Sequence, residues 1–218
     1  MPREYDLYVF DWDGTLSDSA AHIVTSIQAS ARDLGLPVPS DYDSRHIIGL
    51  GLQDALGMLF PDLSPDRYRD VAERYKVHYL AGETQLSLFE GVAPGLRTAQ
   101  AAGRLLAVAT GKSRRGLDRA LETTGLREFF AASRCADEGF AKPHPDMLEY
   151  LLDHLGVAAD RALMIGDTTH DVEMAHGARM DSVAVTYGAH DPGKLARSRP
   201  TYTVHSPREL WQWLNPGA

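Results

Sequence analysis

The sequence predicts an α/β protein, a doubly wound parallel sheet with a Rossmann-like core and an inserted small α-helical domain. Three observations carry that expectation. Short apolar runs recur at Leu7–Phe10, Leu105–Ala109, Ala162–Ile165 and Ser182–Val185, and most are followed by Gly, Asp or Thr, as buried parallel strands are. Helical stretches separate the later runs, the alternation that a doubly wound sheet requires. Between about Asp18 and Gln85 no strand run occurs, and apolar residues recur at helical spacing.

Leu7–Phe10 is the first strand. In the insert, Ile23, Ile27, Ala31 and Leu34 share one helical face, as do Val71, Tyr75 and His78–Tyr79. Ser64-Pro65-Asp66 supplies an N-cap, a proline at the first helical position and an acid in the first turn. The chain returns to the core near Phe89-Glu90-Gly91, so residues 1–16 and 87–218 are expected to form the core and 17–86 the insert. Beyond Leu105–Ala109, helices are expected at Arg114–Thr123 after Ser113, at Pro145–His154 after a proline-rich loop, and at Asp171–Ala178. Gly103, Gly125 and Gly156 stand where helices should stop. Tyr202–Val204 is the last strand, and Ser206-Pro207 opens a terminal helix whose Trp211 and Trp213 could pack internally or form a contact.

Composition narrows the function. The 218 residues are 44% hydrophobic and 24% charged, an ordinary globular balance. No apolar run approaches the roughly 20 residues of a membrane span, and Met1–Asp6 is too polar for a signal peptide. Cys135 is the only cysteine, so no intrachain disulfide is possible, which fits a cytoplasmic protein with a buried, inert thiol. The net charge is −8 with no dense basic block, which argues against nucleic acid as a partner. A small anionic substrate remains compatible, because a metal and one or two lysines can reverse the local field.

Four strand ends carry chemistry. Asp11 and Asp13 follow the first strand directly, with Gly14 and Thr15 behind them. Two carboxylates this close need a cation, or one must stay protonated, and a hard cation with oxygen ligands is the natural answer. Thr110-Gly111 ends the second run, where a hydroxyl and a backbone N–H can meet a phosphoryl oxygen. Lys142 sits in a loop that Pro143 and Pro145 stiffen, and could neutralise both an aspartate and an incoming phosphate. Gly166-Asp167 ends a third run; Asp167 would complete a metal site, and Asp171 could cap a helix or act as an outer acceptor. His144 reads as a loop or solvent residue, and His170 and His176 as helix-surface residues.

Together, in this order, these segments resemble the signatures of the haloacid dehalogenase superfamily. Asp11-x-Asp13-x-Thr15, Thr110, Lys142-Pro143 and Gly166-Asp167 with Asp171 match its four motifs, and the insert sits where its small helical cap lies. Phe89-Glu90-Gly91-Val92, Ala136-Asp137-Glu138 and Lys142-Pro143-His144-Pro145-Asp146 resemble its phosphoglycolate phosphatase-like branch. The resemblance implies a Mg²⁺-dependent phosphatase acting on a small phosphorylated metabolite. Asp11 is the implied nucleophile, forming an aspartyl-phosphate, and Asp13 the acid and base. Mg²⁺ would take Asp11, the Asp13 carbonyl and Asp167, while Thr110, Gly111, Lys142 and the amides of Trp12–Gly14 would hold the phosphate and Thr15 would brace the loop.

A dehalogenase would not need Asp13. A β-phosphoglucomutase-like enzyme carries a cap arginine that Ile48–Gln53 lacks. An inorganic pyrophosphatase stays open, and a non-catalytic module predicts a broken motif where none is broken. Arg45, His46, Lys76 and His22 are the insert's polar candidates for substrate contact. The Gly49–Gly51 loop is the segment best able to approach the site. Oligomeric state is not readable from the chain.

Overall fold

The apolar runs become the strands of one sheet because each has two faces to bury. A computed structural model describes residues 4–83 and 87–215. Its strands are β1 (Leu7–Phe10), β2 (Leu105–Thr110), β3 (Ala132–Cys135), β4 (Ala162–Gly166), β5 (Asp181–Val185) and β6 (Tyr202–Val204). All neighbours pair in parallel, in the order β3-β2-β1-β4-β5-β6. The chain winds outward from β1 to β3, then restarts at β4 on the other side of β1. That reversal opens a crevice at the carboxyl ends of β1 and β4, where open α/β sheets bind ligands.

The helices are α1 (Ala20–Asp33), α2 (Asp41–His46), α3 (Leu52–Leu59), α4 (Pro65–Gly82), α5 (Val92–Ala101), α6 (Arg114–Thr124), α7 (Asp146–Leu155), α8 (Thr169–Gly177), α9 (Pro192–Arg197) and α10 (Pro207–Leu214). On one sheet face Phe10, Val108 and Ile165 pack with Leu96 of α5, Leu117 of α6 and Leu210 of α10. On the other, Val9, Ala107 and Met164 pack with Met147 and Leu151 of α7 and Met174 of α8. Burying each such side chain contributes about 1.5–3 kcal/mol, and the period of two along β1 is what divides Leu7 and Val9 from Tyr8 and Phe10. Trp211 joins this core and lies against Gly91 and Gly95, where a Cβ would collide with its ring.

Helices α1–α4 lie between β1 and β2 in sequence, and α1 packs on α4. Ile23, Ile27, Ile47, Ile48 and Tyr79 form one apolar cluster there, and Ala31, Leu56, Phe60 and Val71 another. Ser64 caps α4 by position, but its side chain makes no capping hydrogen bond. The chain leaves and re-enters the sheet region through two adjacent segments: Ser17 bridges Leu88 in antiparallel fashion, and Asp18 N–H donates to Ser87 O at 2.9 Å. Met1–Arg3, and Gln85 and Leu86 where the insert is expected to end, lie outside the described residues.

No pattern in the sequence marks β3, α2, α3 or α9, and of α5 only the end, before Gly103, is marked. β3, Ala-Ser-Arg-Cys, is a four-residue edge strand with no apolar run to mark it. α5 begins with Gly91 in the left-handed region and carries Pro94 and Gly95, which disguise a helix start as a loop. Among the described residues, no helix is long and apolar enough to cross a membrane.

Candidate active site

Asp11 leaves β1 with its N–H donating to Ile165 O of β4 at 2.9 Å, so its side chain stands over the crevice, 1% exposed. Lys142 Nζ, buried in the same place, lies 2.7 Å from Asp11 Oδ1 and 2.7 Å from Asp171 Oδ1. Asp11 Oδ2 has no hydrogen-bond partner among the described residues. Gly14 adopts φ +86, and a Cβ there would collide with the Asp167 carboxylate, so only glycine lets the loop turn against that residue. Thr15 Oγ1 donates to Asp167 Oδ1 at 2.8 Å, and Ala189 N–H donates to Oδ2 at 2.7 Å. The Lys142–Pro143 peptide is cis.

Asp171 completes a reciprocal cap with Thr168, whose N–H and Oγ1 donate to its Oδ2 at 3.0 and 2.7 Å. With Oδ1 on Lys142 and Oδ2 on Thr168, Asp171 is occupied in holding other residues. Single ligand atoms of Asp11, Asp167 and Asp171 all lie within 4.8 Å of one another. Three buried carboxylates against one ammonium leave an uncompensated double negative charge. Burial pushes the Asp11 carboxyl well above its ordinary range, with Asp171 and Asp167 adding to the push and Lys142 opposing it. Burial likewise pushes Asp167 up to about 7, with Asp171 next in weight. Burial works against the charge on Lys142, yet Asp11 and Asp171 outweigh it and raise the ammonium above its ordinary value. A divalent cation fits this donor set: a charge deficit of the right size and hard oxygen donors. Asp11 and Asp167 have the capacity to hold it, and Asp171 does not.

Asp13 projects differently. Ser19 Oγ donates to its Oδ1 at 2.7 Å, and Lys112 Nζ lies 3.0 Å from each of its oxygens. Lys112 also donates to Tyr79 Oη of α4 at 2.8 Å, so a residue of the helical segment reaches Asp13 through one lysine. Burial disfavours the Lys112 charge, but Asp13 and the Tyr79 and Tyr75 phenols hold its ammonium above the ordinary value. Lys112 follows Thr110-Gly111 in the second motif's segment, and Ser19 belongs to none of the four motifs. The Lys112 contact depends on two segments 99 residues apart meeting, which no local pattern records, whereas Ser19 lies six residues from Asp13.

Thr110 is fully buried, and its Oγ1 accepts from Lys112 N–H at 3.2 Å. Gly111 lies against the carbonyls of Gly49 and Leu50, where a Cβ would collide, and Gly49 lies beside Thr168. The Gly49–Gly51 loop therefore touches the site's rim, as its glycines suggested. Trp12 buries its ring in the core, and its carbonyl accepts from the N–H groups of Leu16 and Ser17 at 3.0 and 2.9 Å. Lys76 lines the cavity above Asp11, whereas Arg45 and His46 line a smaller one beside His190. His22 packs on Tyr79 and pairs with its carbonyl at 2.8 Å. Cys135 is buried, and burial pushes its thiol up to about 12.

The helix-surface expectation for His170 is wrong: it is 7% exposed. His170 and His190 each place Nε2 3.0 Å from the carbonyl of His46, the last residue of α2. A polar residue early in a helix looked like surface, but the α2 terminus covers it. His190 Nδ1 accepts from Thr169 N–H at 3.1 Å, which leaves the proton on Nε2 and the ring neutral. Burial, then His170, lowers the His190 pKa to about 4. The unfolded ring titrates near 6.5, so the unfolded chain binds more protons between these values. Stability from His190 is thus complete above about pH 6.5 and lost as pH falls toward 4, by about 3 kcal/mol. Asp11 and Asp167, whose values are raised, act in the opposite sense. The His190 contribution is isolated by comparing denaturant midpoints of the wild type and His190→Gln from pH 7.5 to 5. The wild-type advantage should shrink with acidification; a constant gap would refute it.

Residues 8–185 match the family described as haloacid dehalogenase-like hydrolase. The probable phosphatase IndB of Dickeya dadantii is 33% identical over 94% of this chain and 91% of its own. A phosphoglycolate phosphatase of Agrobacterium fabrum is 33% identical over 85% and 82%. The tyrosine-protein kinase PtkA of Mycobacterium tuberculosis is 31% identical over 92% of this chain and 68% of its own. Among solved structures, a predicted phosphatase from Clostridium acetobutylicum superposes with a TM-score of 0.85 at 26% identity, covering 97% of this chain and 99% of its own.

Proposed function

Because the chain belongs to the haloacid dehalogenase-like hydrolase family, we propose that it is a Mg²⁺-dependent phosphatase that hydrolyses a small phosphate monoester through an aspartyl-phosphate on Asp11. The observation that carries this reading is the unpartnered, buried Oδ2 of Asp11 beside an oxygen that Lys142 holds at 2.7 Å. One carboxylate oxygen is fixed and the other is left to react. Residues 17–86 act as a cap over the core formed by 1–16 and 87–218. Relatives named phosphatase and phosphoglycolate phosphatase support a phosphorylated metabolite as substrate, and a single buried cysteine agrees with a cytoplasmic setting.

Asp11 Oδ2 attacks phosphorus, forming an O–P bond as the bond to the departing alkoxide breaks. Asp13, oriented by Ser19 and Lys112, gives its proton to that alkoxide. It then takes a proton from the water that attacks phosphorus and releases Asp11. Lys142 offsets the charge on Asp11 and the phosphoryl oxygens, and Thr110, Gly111 and the amides of Trp12–Gly14 hold those oxygens. Asp167, which Thr15 and Ala189 orient, would hold Mg²⁺ together with Asp11 and the Asp13 carbonyl. When bound, that ion supplies Lewis-acid offset of the phosphoryl charge.

Acid quenching during turnover should trap phosphate on the peptide carrying Asp11, as an acyl phosphate cleaved by hydroxylamine. Asp13→Asn, which removes both the acid and the base, should slow overall turnover by roughly 10²–10⁴-fold. Normal turnover with no trapped phosphate would mean that water attacks the ester directly.

A further inference from the structure

The space above Asp11 and Asp13 has a volume of about 520 Å³. It persists with the helical segment seated on the core, through the Tyr79–Lys112 contact and the Gly49–Leu50 carbonyls on Gly111. Pockets of roughly 300–1,000 Å³ take ligands far larger than a two-carbon acid. The walls opposite the aspartates are Ile23, Ile27, Ile47, Leu52, Ala55 and Leu80.

Among the described residues, four cations line this space: Lys112 and Arg119 are engaged by carboxylates, and Lys76 and Arg115 sit at its solvent-exposed mouth. Lys112 is paired with Asp13, and Arg119 Nε lies 3.2 Å from Glu83. Lys76 is exposed and paired with Glu73, and Arg115 is exposed at the rim. A carboxylate carried next to the ester would face isoleucine and leucine, at an uncompensated desolvation cost. An alkyl body would instead replace water along the same wall.

Resting on the phosphatase reading, we propose that the substrate is the phosphate monoester of an apolar alcohol several carbons long, whose hydrocarbon body fills this cavity. A distal carboxylate, such as that of glycolate, is disfavoured.

The test is kcat/KM, with Mg²⁺, for ethyl, butyl and hexyl phosphate and for 2-phosphoglycolate. The three leaving alkoxides are of nearly equal basicity, so the series reports burial alone. Specificity should rise about fourfold per methylene until the cavity is filled, and 2-phosphoglycolate should fall below hexyl phosphate. Ala55→Leu, which occupies the space, should lower the hexyl-to-ethyl ratio by about tenfold. Leu80→Ser, at a half-exposed rim position where folding is at little risk, should lower that ratio several-fold. A flat or falling series, a preference for 2-phosphoglycolate, or an unchanged ratio in both folded variants would overturn this inference and leave the phosphatase reading intact. Turnover of none of the esters would overturn both.

Discussion

Asp11→Asn lowers kcat by on the order of 10⁴ or more and leaves the fold intact. The amide keeps the shape of the carboxylate but cannot form the O–P bond, and removal of a nucleophile is among the costliest changes an active site can undergo. Stability should move the other way or not at all. The Asp11 carboxyl is pushed up by burial and by Asp171 and Asp167, so an ionised group there opposes folding, and a neutral amide relieves part of the repulsion. Phosphate release and a thermal melt on one preparation check both halves. Retention of a tenth of wild-type turnover would remove Asp11 from the nucleophile's place.

Lys142→Met should unfold the protein more readily than any other single change at the site. The ammonium is fully buried and 2.7 Å from both Asp11 and Asp171. Methionine keeps most of the stem's packing but leaves three carboxylates with no positive partner. Breaking a buried pair in this way costs about 3–5 kcal/mol, which for a chain of this size lowers Tm by roughly 10 °C. Added Mg²⁺ should restore more of that loss than it adds to the wild type, because a divalent cation offsets the same carboxylates. Scanning calorimetry of both proteins with and without the ion decides it. A loss under about 1 kcal/mol would mean that the carboxylates are already neutralised by protonation.

The strand ends were legible because they join two signals that rarely coincide. Val9-Phe10 before Asp11, and Met164-Ile165 before Gly166-Asp167, are buried runs that end in a charge, and the sheet brings both ends to one crevice. β1, β2, β4 and β5 were readable for the same reason: apolar residues with two buried faces leave a plain pattern. β3 was not, since Ser133 and Arg134 belong to an edge that the pattern does not mark. The Asp13 partners were hidden for a different reason. Ser19, Lys112 and Tyr79 come from three separate elements, and only their assembly makes them a unit. His170 and His190 likewise become interior residues only when the end of α2 arrives over them.

The side-by-side crossing at Ser17 and Leu88 has an evolutionary consequence. Because the excursion departs and returns at nearly one point, its length and contents can change without shifting the register of any strand. A lineage can trade one set of helices for another, and with it one diet of esters for another, while Asp11, Lys142 and Asp167 stay under separate selection. On the proposed division, recombination at these two positions should exchange substrate preference between relatives as a cassette, and the reaction itself would be inherited unchanged.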